Sequence, residues 1–154
     1  MKLLPGFYSR RRSADMDRVL LDTNVLLDFV MVARPEHETV TTLVGRLLEG
    51  DADLCIVATS LKDVYYILTR TDGESVARQV VESLMVATRV LSVDDECCRQ
   101  AIGSSEPDFE DGIIRAAAEI ERVSFIITRD QAAFIGSRVP SISPADALRE
   151  LPAT

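Results

Sequence analysis

Asp22, Asp63, Asp111 and Asp130 are the side chains of this sequence whose placement invites chemistry. Asp22 closes the apolar run that opens "RVLLDTNVLLDFV", residues 18–30, and Asp130 closes "SFIITRD". A carboxylate at the end of an apolar strand needs a partner, a metal or a task, because burying it unpaired costs on the order of several kcal/mol. Asp63 lies in "TSLKDVYYILTR", and Asp111 lies in "EPDFEDGIIRAAAEIERV" with Asp108 three residues before it, on the same helical face. Carboxylates gathered at one place raise one another's pKa, so such a cluster is stable mainly with cations in it. Oxygen-only ligands suit Mg²⁺ or Mn²⁺ rather than zinc. His37 is the single histidine, and Cys55 and Cys97 are scattered, so no zinc spacing exists. A hard cation held this way lowers the pKa of a bound water and polarises a phosphodiester oxygen. Phosphodiester hydrolysis is therefore the leading chemistry.

Convergence of these acids depends on the elements that carry them. Short apolar runs predict strands at about 18–23, 53–58, 89–93 and 123–128, with a weak fifth near 139–142, and helical periods fill the intervals. Alternating β and α elements imply a parallel sheet with helices on both faces. Ligands of such sheets bind outside the carboxyl ends of the strands. Asp22 and Asp130 stand at strand ends, and Asp63 falls in the first turn of the helix leaving the second strand. The helix that begins near Pro107 or Asp108 must run antiparallel to the strand after it, so its first turn returns to that edge. Cap signals support these elements: Thr59 or Ser60 before the helix bearing Asp63, Ser143 ahead of Pro144, and Gly50 as a stop.

Composition narrows the function classes. At 154 residues, 47% hydrophobic and 27% charged, the chain suits one domain with a full core. Residues 1–15 read as a basic N-terminal tail and 16–154 as the folded domain, and Met16 could itself be a start. The first 18 residues hold five of the 17 basic and two of the 25 acidic side chains, leaving 12 basic against 23 acidic, net −11, in the other 136. An acidic body disfavours a broad basic nucleic-acid patch, but bound cations invert the local sign and meet phosphates directly. Three cysteines, two of them adjacent, fit no disulfide framework and suit a reducing cytoplasm. No membrane span or signal peptide is expected.

In order and approximate spacing, "LLDTNVLLD", the acidic helix after the second strand, "DFEDGIIRAAAE" and "FIITRD" resemble the motifs of PIN-domain ribonucleases, over about residues 17–150. The resemblance implies a three-layer α/β/α sandwich around a parallel sheet and Mg²⁺- or Mn²⁺-dependent cleavage of RNA. It also implies, frequently, service as the toxin of a bacterial toxin–antitoxin pair of the VapC kind. Asp22, Asp63, Asp111 and Asp130 would be the acidic set, with Asp108 as a further metal ligand. Asn24 and Thr128 would orient water or the oxygens around the ligands, with Ser60 beside them. The second acidic position is usually Glu in these nucleases, whereas Asp63 is one methylene shorter.

Each acid also has an ordinary structural role open to it. Asp63 could close a capping box with Ser60, Asp108 could be a plain N-cap, and Asp111 suits the first-turn dipole. Strand ends give Asp22 and Asp130 no comparable reward. Asp28, Asp94, Asp95 and Glu96 read as solvated or capping, His37 as surface, Cys97 and Cys98 as helix packing, and Lys62 as exposed near the rim. A phosphoaspartate receiver fails for want of paired acids and a late lysine, and a dehalogenase-like phosphatase fails because Asn24 stands where its second acid belongs. The non-enzyme alternative is a catalytically weak PIN domain used as a binding or scaffold module; the alternative enzyme role is that of an orphan housekeeping nuclease. The apolar content of "VTTLVGRLL" and "VYYILTR" points to a homodimer through those helices. An antitoxin would silence the site with an Arg or Lys against Asp22, Asp111 and Asp130.

Overall fold

The structure, a computed structural model, describes residues 17–105 and 108–150. The expected tail lies outside these residues, as does Pro107. Five strands form one sheet: β1 (Arg18–Leu21), β2 (Asp53–Val57), β3 (Arg89–Leu91), β4 (Phe125–Ile127) and β5 (Ser141–Ile142). Their order is β3-β2-β1-β4-β5, and every pairing is parallel. Val19 lies opposite both Leu54 and Phe125, so β1 is central.

A central parallel strand is covered on both faces, which is why these strands read as continuous apolar runs. Val19 and Leu21 of β1 point into one core with Leu54 and Ile56 of β2, while Leu20, Cys55 and Val57 point into the other. The first core is closed by α1 (Thr23–Val30), α2 (His37–Glu49), α3 (Ala58–Thr71), α4 (Glu74–Ala87) and α7 (Pro144–Glu150). The second is closed by α5 (Asp95–Ile102), α6 (Phe109–Ile120) and the 3₁₀ turn Gln131–Phe134. The architecture is the expected three-layer α/β/α sandwich.

Local chemistry explains most element ends. Ser143 Oγ accepts the Asp146 N–H at 3.1 Å and donates to the Asp146 carboxylate at 2.7 Å, starting α7 with Pro144 in first position. Gly50 ends α2 as expected, although the left-handed residue is the next one, Asp51 (φ 59°). Gly73 (φ 91°) makes the turn between α3 and α4 in a conformation that glycine adopts most readily.

Two expectations fail here. Neither Thr59 nor Ser60 caps α3, whose first residue is Ala58 and whose N-cap position is Val57; the Ser60 hydroxyl is buried instead against Thr23 Oγ1 at 2.7 Å. The apolar side chains of "VTTLVGRLL" are mostly absorbed within the one chain: Val40, Leu43, Val44 and Leu47 are buried, and Leu48 is exposed. α2 thus spends its apolar face on α1, α7 and the sheet.

Candidate active site

After β1 and β2 are laid side by side the chain returns to the other edge of β1 with β4, so the crevice between β1 and β4 lies at a reversal of strand order. Such crevices, at the carboxyl ends of the strands, are where α/β folds bind ligands. Asp22 directly follows β1, its N–H donating to the Ile127 carbonyl at 3.0 Å. Its side chain is buried, and Thr128 Oγ1, fully buried after β4, donates to Asp22 Oδ2 at 2.8 Å. Thr128 Oγ1 also accepts the N–H of Asp130 at 3.0 Å. One threonine hydroxyl therefore ties the end of β1 to the turn after β4. Asp130 accepts the Ala133 N–H at 3.3 Å and caps the 3₁₀ turn. Burial pushes the Asp22 carboxyl above its usual range, opposed by bonds from Thr128 and the Thr23 backbone and assisted by Glu110 and Asp130.

The first turn of α6 completes this group. Asp108 Oδ1 accepts the Asp111 N–H at 2.8 Å, so Asp108 is the N-cap of α6 whatever else it does. Asp111 is pushed up to about 7, first by desolvation and then by the negative charges of Asp108, Asp22, Asp130 and Glu110. Gly112 allows the close seating of this turn: a Cβ there would stand 3.0 Å from the Ala101 carbonyl oxygen and 3.3 Å from Ala101 Cα of α5. Four of the expected acids, Asp22, Asp108, Asp111 and Asp130, are thus electrostatic neighbours. Glu110 joins them and was missed by the sequence reading. The i, i+3 pairing of Asp108 with Asp111 drew attention from an acid that shares their first turn.

Asp63 stands differently. Because α3 begins at Ala58, Asp63 lies in its second turn rather than its first, and it makes no capping box with Ser60. It pairs with Lys62 Nζ at 2.8 Å and is not among the charges that raise Asp22 or Asp111. Lys62 is exposed as expected, and its ammonium is held above its ordinary range by Asp63, with a lesser pull from Glu110. That pull places the start of α3 across the rim from the start of α6. Asn24, in the first turn of α1, is exposed.

A second charged group is joined to this rim through Arg129, where the sequence reading expected a solvated or capping acid. Asp28 is fully buried. Its Oδ1 accepts from Arg34 Nε at 2.6 Å and its Oδ2 lies 3.2 Å from Arg129 Nε. His37, expected on the surface, is half-buried, its Nδ1 lying 2.9 Å from the Asp28 carbonyl oxygen. The reason is that α1 is apolar around most of its circumference and sits inside the first core, so Asp28 cannot reach water and takes its countercharge from two loops. Asp94 caps α5 through the Cys97 N–H, Asp95 and Glu96 are exposed, and Cys97 is buried, all as the sequence implied.

The donor set tests the idea of a metal. Every convergent group is a carboxylate, and Asp111 is raised by burial and further by the negative charge of its neighbours, which a hard divalent cation would offset. Among the described residues no three acidic, imidazole or thiol side chains converge closely enough to grip one ion as they stand, so binding requires side-chain rotation. The chemistry of the donors fits.

Comparison with known proteins agrees with this fold. The family model described as "PIN domain" matches residues 18–132. FitAcB from Neisseria gonorrhoeae superposes with a TM-score of 0.65 at 22% identity, covering 82% of this chain and 97% of that one. A toxin–antitoxin complex from Klebsiella pneumoniae gives 0.61 at 20% identity, covering 82% and 97%. VapC20 from Mycobacterium tuberculosis, described as a sarcin-ricin loop cleaving toxin, gives 0.57 at 16% identity over 70% and 86%. No curated protein sequence matches this chain significantly. With the family model spanning most of the chain and the sandwich shared with these structures, this protein belongs to the PIN-domain family.

Proposed function

We propose that this PIN domain is a divalent-metal-dependent endoribonuclease, the toxin of a toxin–antitoxin pair. The observation that carries the reading is the convergence of Asp22, Asp111 and Asp130 at the β1/β4 crevice, with Asp111 pushed up to about 7 by desolvation and then by its acidic neighbours. PIN-domain nucleases generally use divalent metal ions. The toxin reading is supported by what the similar structures are, among them a toxin–antitoxin complex and a toxin that cleaves the sarcin-ricin loop.

Asp22, Asp111 and Asp130 would hold Mg²⁺ or Mn²⁺, with Asp63 and Asp108 at the margin. When bound, the ion supplies a water of lowered pKa and offsets charge on the phosphodiester. The chain's own residues do the rest. Thr128 fixes the Asp22 carboxylate through one oxygen and Asp130 through its backbone, so both ligands move as a unit. The buried Thr23–Ser60 pair joins the starts of α1 and α3 beneath the rim, which positions Lys62 and Asp63. Lys62 then offers a cation to a phosphate at the entrance.

Asp22→Asn and Asp130→Asn each remove a ligand charge at nearly constant volume. Cleavage of single-stranded RNA in Mg²⁺ or Mn²⁺ is expected to disappear in both, with circular dichroism unchanged. Parent-rate cleavage by Asp22→Asn overturns the site. One observation favours the second reading, a catalytically weak binding module: Asp63, already shorter than the usual Glu, is drawn to Lys62. Undetectable cleavage by the parent, with tight antitoxin binding, would select it.

The partners belong to the same proposal. An antitoxin tail bearing Arg or Lys would occupy the rim against Asp22, Asp111 and Asp130. Since α2 is spent inside the chain, a homodimer would use the α3–α4 face, where Tyr66, Val76, Met85 and Val86 are exposed. The three free cysteines suit a cytoplasmic setting.

A further inference from the structure

We infer that Arg34 and Arg129, mounted on the buried Asp28, form a cationic subsite that holds a backbone phosphate of the RNA strand beside the acidic rim. This rests on the ribonuclease reading and adds to it the means by which an acidic protein holds its substrate.

One buried carboxylate needs one countercharge. Asp28 has two, Arg34 at 2.6 Å and Arg129 at 3.2 Å, so the group carries a net positive charge. Several other arginines are matched by acids: Arg78 by Glu74, Arg99 by Asp95, and Arg18 with Arg89 by Asp53 and Glu121. The second arginine on Asp28 exceeds what stability requires. Arg34 Nε donates to Asp28 Oδ1, whereas Arg129 Nε lies 3.2 Å from Oδ2 as an ion pair outside hydrogen-bond geometry, and among the described residues the terminal Nη groups of both make no protein hydrogen bond. Their side chains are 27% and 40% exposed, so anchored stems carry free donors to solvent. Guanidinium donors in a fixed fork are matched to phosphate oxygens.

Position gives the subsite its meaning. Arg129 stands in sequence between Thr128, which holds Asp22, and Asp130, so its anchor is part of the same turn. Arg34 comes from the loop between α1 and α2. A rim of carboxylates repels a polyanion until cations fill it, whereas a paired-arginine site next to it attracts the strand at a neighbouring phosphate.

The test measures binding of a fluorescein-labelled single-stranded RNA oligonucleotide to the full chain by anisotropy, in EDTA to prevent cleavage, across a salt series. KM and kcat for cleavage in Mn²⁺ are measured alongside. Because neutralising the arginines alone strands a buried charge, the decisive protein is the triple variant Asp28→Asn, Arg34→Gln, Arg129→Gln, with its fold checked by melting. It is expected to bind severalfold more weakly for all sequences, to lose about 0.7 from the salt slope per phosphate contact, and to raise KM far more than it lowers kcat. A merely structural group would leave the salt slope unmoved. A folded triple variant with parental affinity, salt slope and KM overturns the subsite while leaving the nuclease reading intact. A parent that binds RNA through these arginines yet cuts nothing keeps the subsite and removes the nuclease reading; a parent that neither binds nor cuts removes both.

Discussion

Asp111 is where the repulsion within the rim is concentrated, and pH reads it directly. Its carboxyl titrates at about 7 in the folded chain against an ordinary 3.8, because it is desolvated and faces Asp108, Asp22, Asp130 and Glu110. Between those two values the folded state binds more protons than the unfolded state, so stability falls as pH rises through that window. The Tm of the metal-free protein in EDTA should therefore decline from about pH 4 to about pH 7, and Asp111→Asn should flatten the decline and melt higher at pH 8. Parallel curves for the two proteins would mean that the acids are not in electrostatic contact. What the sequence reveals at this scale follows from geometry. Asp22 and Asp130 stand out because strand ends in a parallel sheet have a fixed direction. Asp28 does not, since its partners are 6 and 101 residues away; the clue available was its helix, "TNVLLDFV", too apolar around its axis to leave an acid in water.

Elements place the acids by close approach, and Gly112 is the tightest point. It abuts Asp111 on α6, and a methyl group there would meet the Ala101 carbonyl oxygen at 3.0 Å and Ser104 Oγ at 3.2 Å. Two effects oppose each other in Gly112→Ala. Helix propensity favours alanine by about 1 kcal/mol, whereas overpacking costs about 1–3 kcal/mol when the obstacle is backbone. The obstacle here is the backbone of α5, so we expect net destabilisation by urea titration and a loss of cleavage larger than the lost folded fraction, as the first turn of α6 tilts away from β1. A more stable variant would show that the α5–α6 contact yields freely. The helices were legible from their periodicity and the strands from continuous apolar runs, but helix starts were less so. Serine and threonine ahead of "LKDVYYIL" looked like caps, yet Ser60 serves a tertiary bond to Thr23, 37 residues away, which local sequence cannot disclose.

At the scale of the whole molecule, the fold brings negative charge from segments more than 100 residues apart to one edge of a sheet, and the stability of the chain should respond to whatever neutralises that edge. A divalent ion that binds only the folded state stabilises it by RT ln(1 + [L]/Kd), about 2.7 kcal/mol at 100 times Kd. For a domain of this size that corresponds to a Tm rise on the order of 5–10 °C. General screening of an acidic body also raises Tm, but it depends on ionic strength and not on the identity of the ion. The informative comparison is therefore MnCl₂ against NaCl at equal ionic strength, by calorimetry at pH 7.5. We expect the manganese shift to exceed the sodium shift by several degrees in the parent protein and to collapse to the sodium value in Asp22→Asn. Asp63→Asn should keep most of the shift, because Asp63 is paired with Lys62 and is not one of the charges raising Asp111. Equal responses to the two salts would show that the carboxyl edge binds no divalent ion, whereas loss of the shift in Asp63→Asn would draw Asp63 into the ligand set that the spacing of the sequence first suggested.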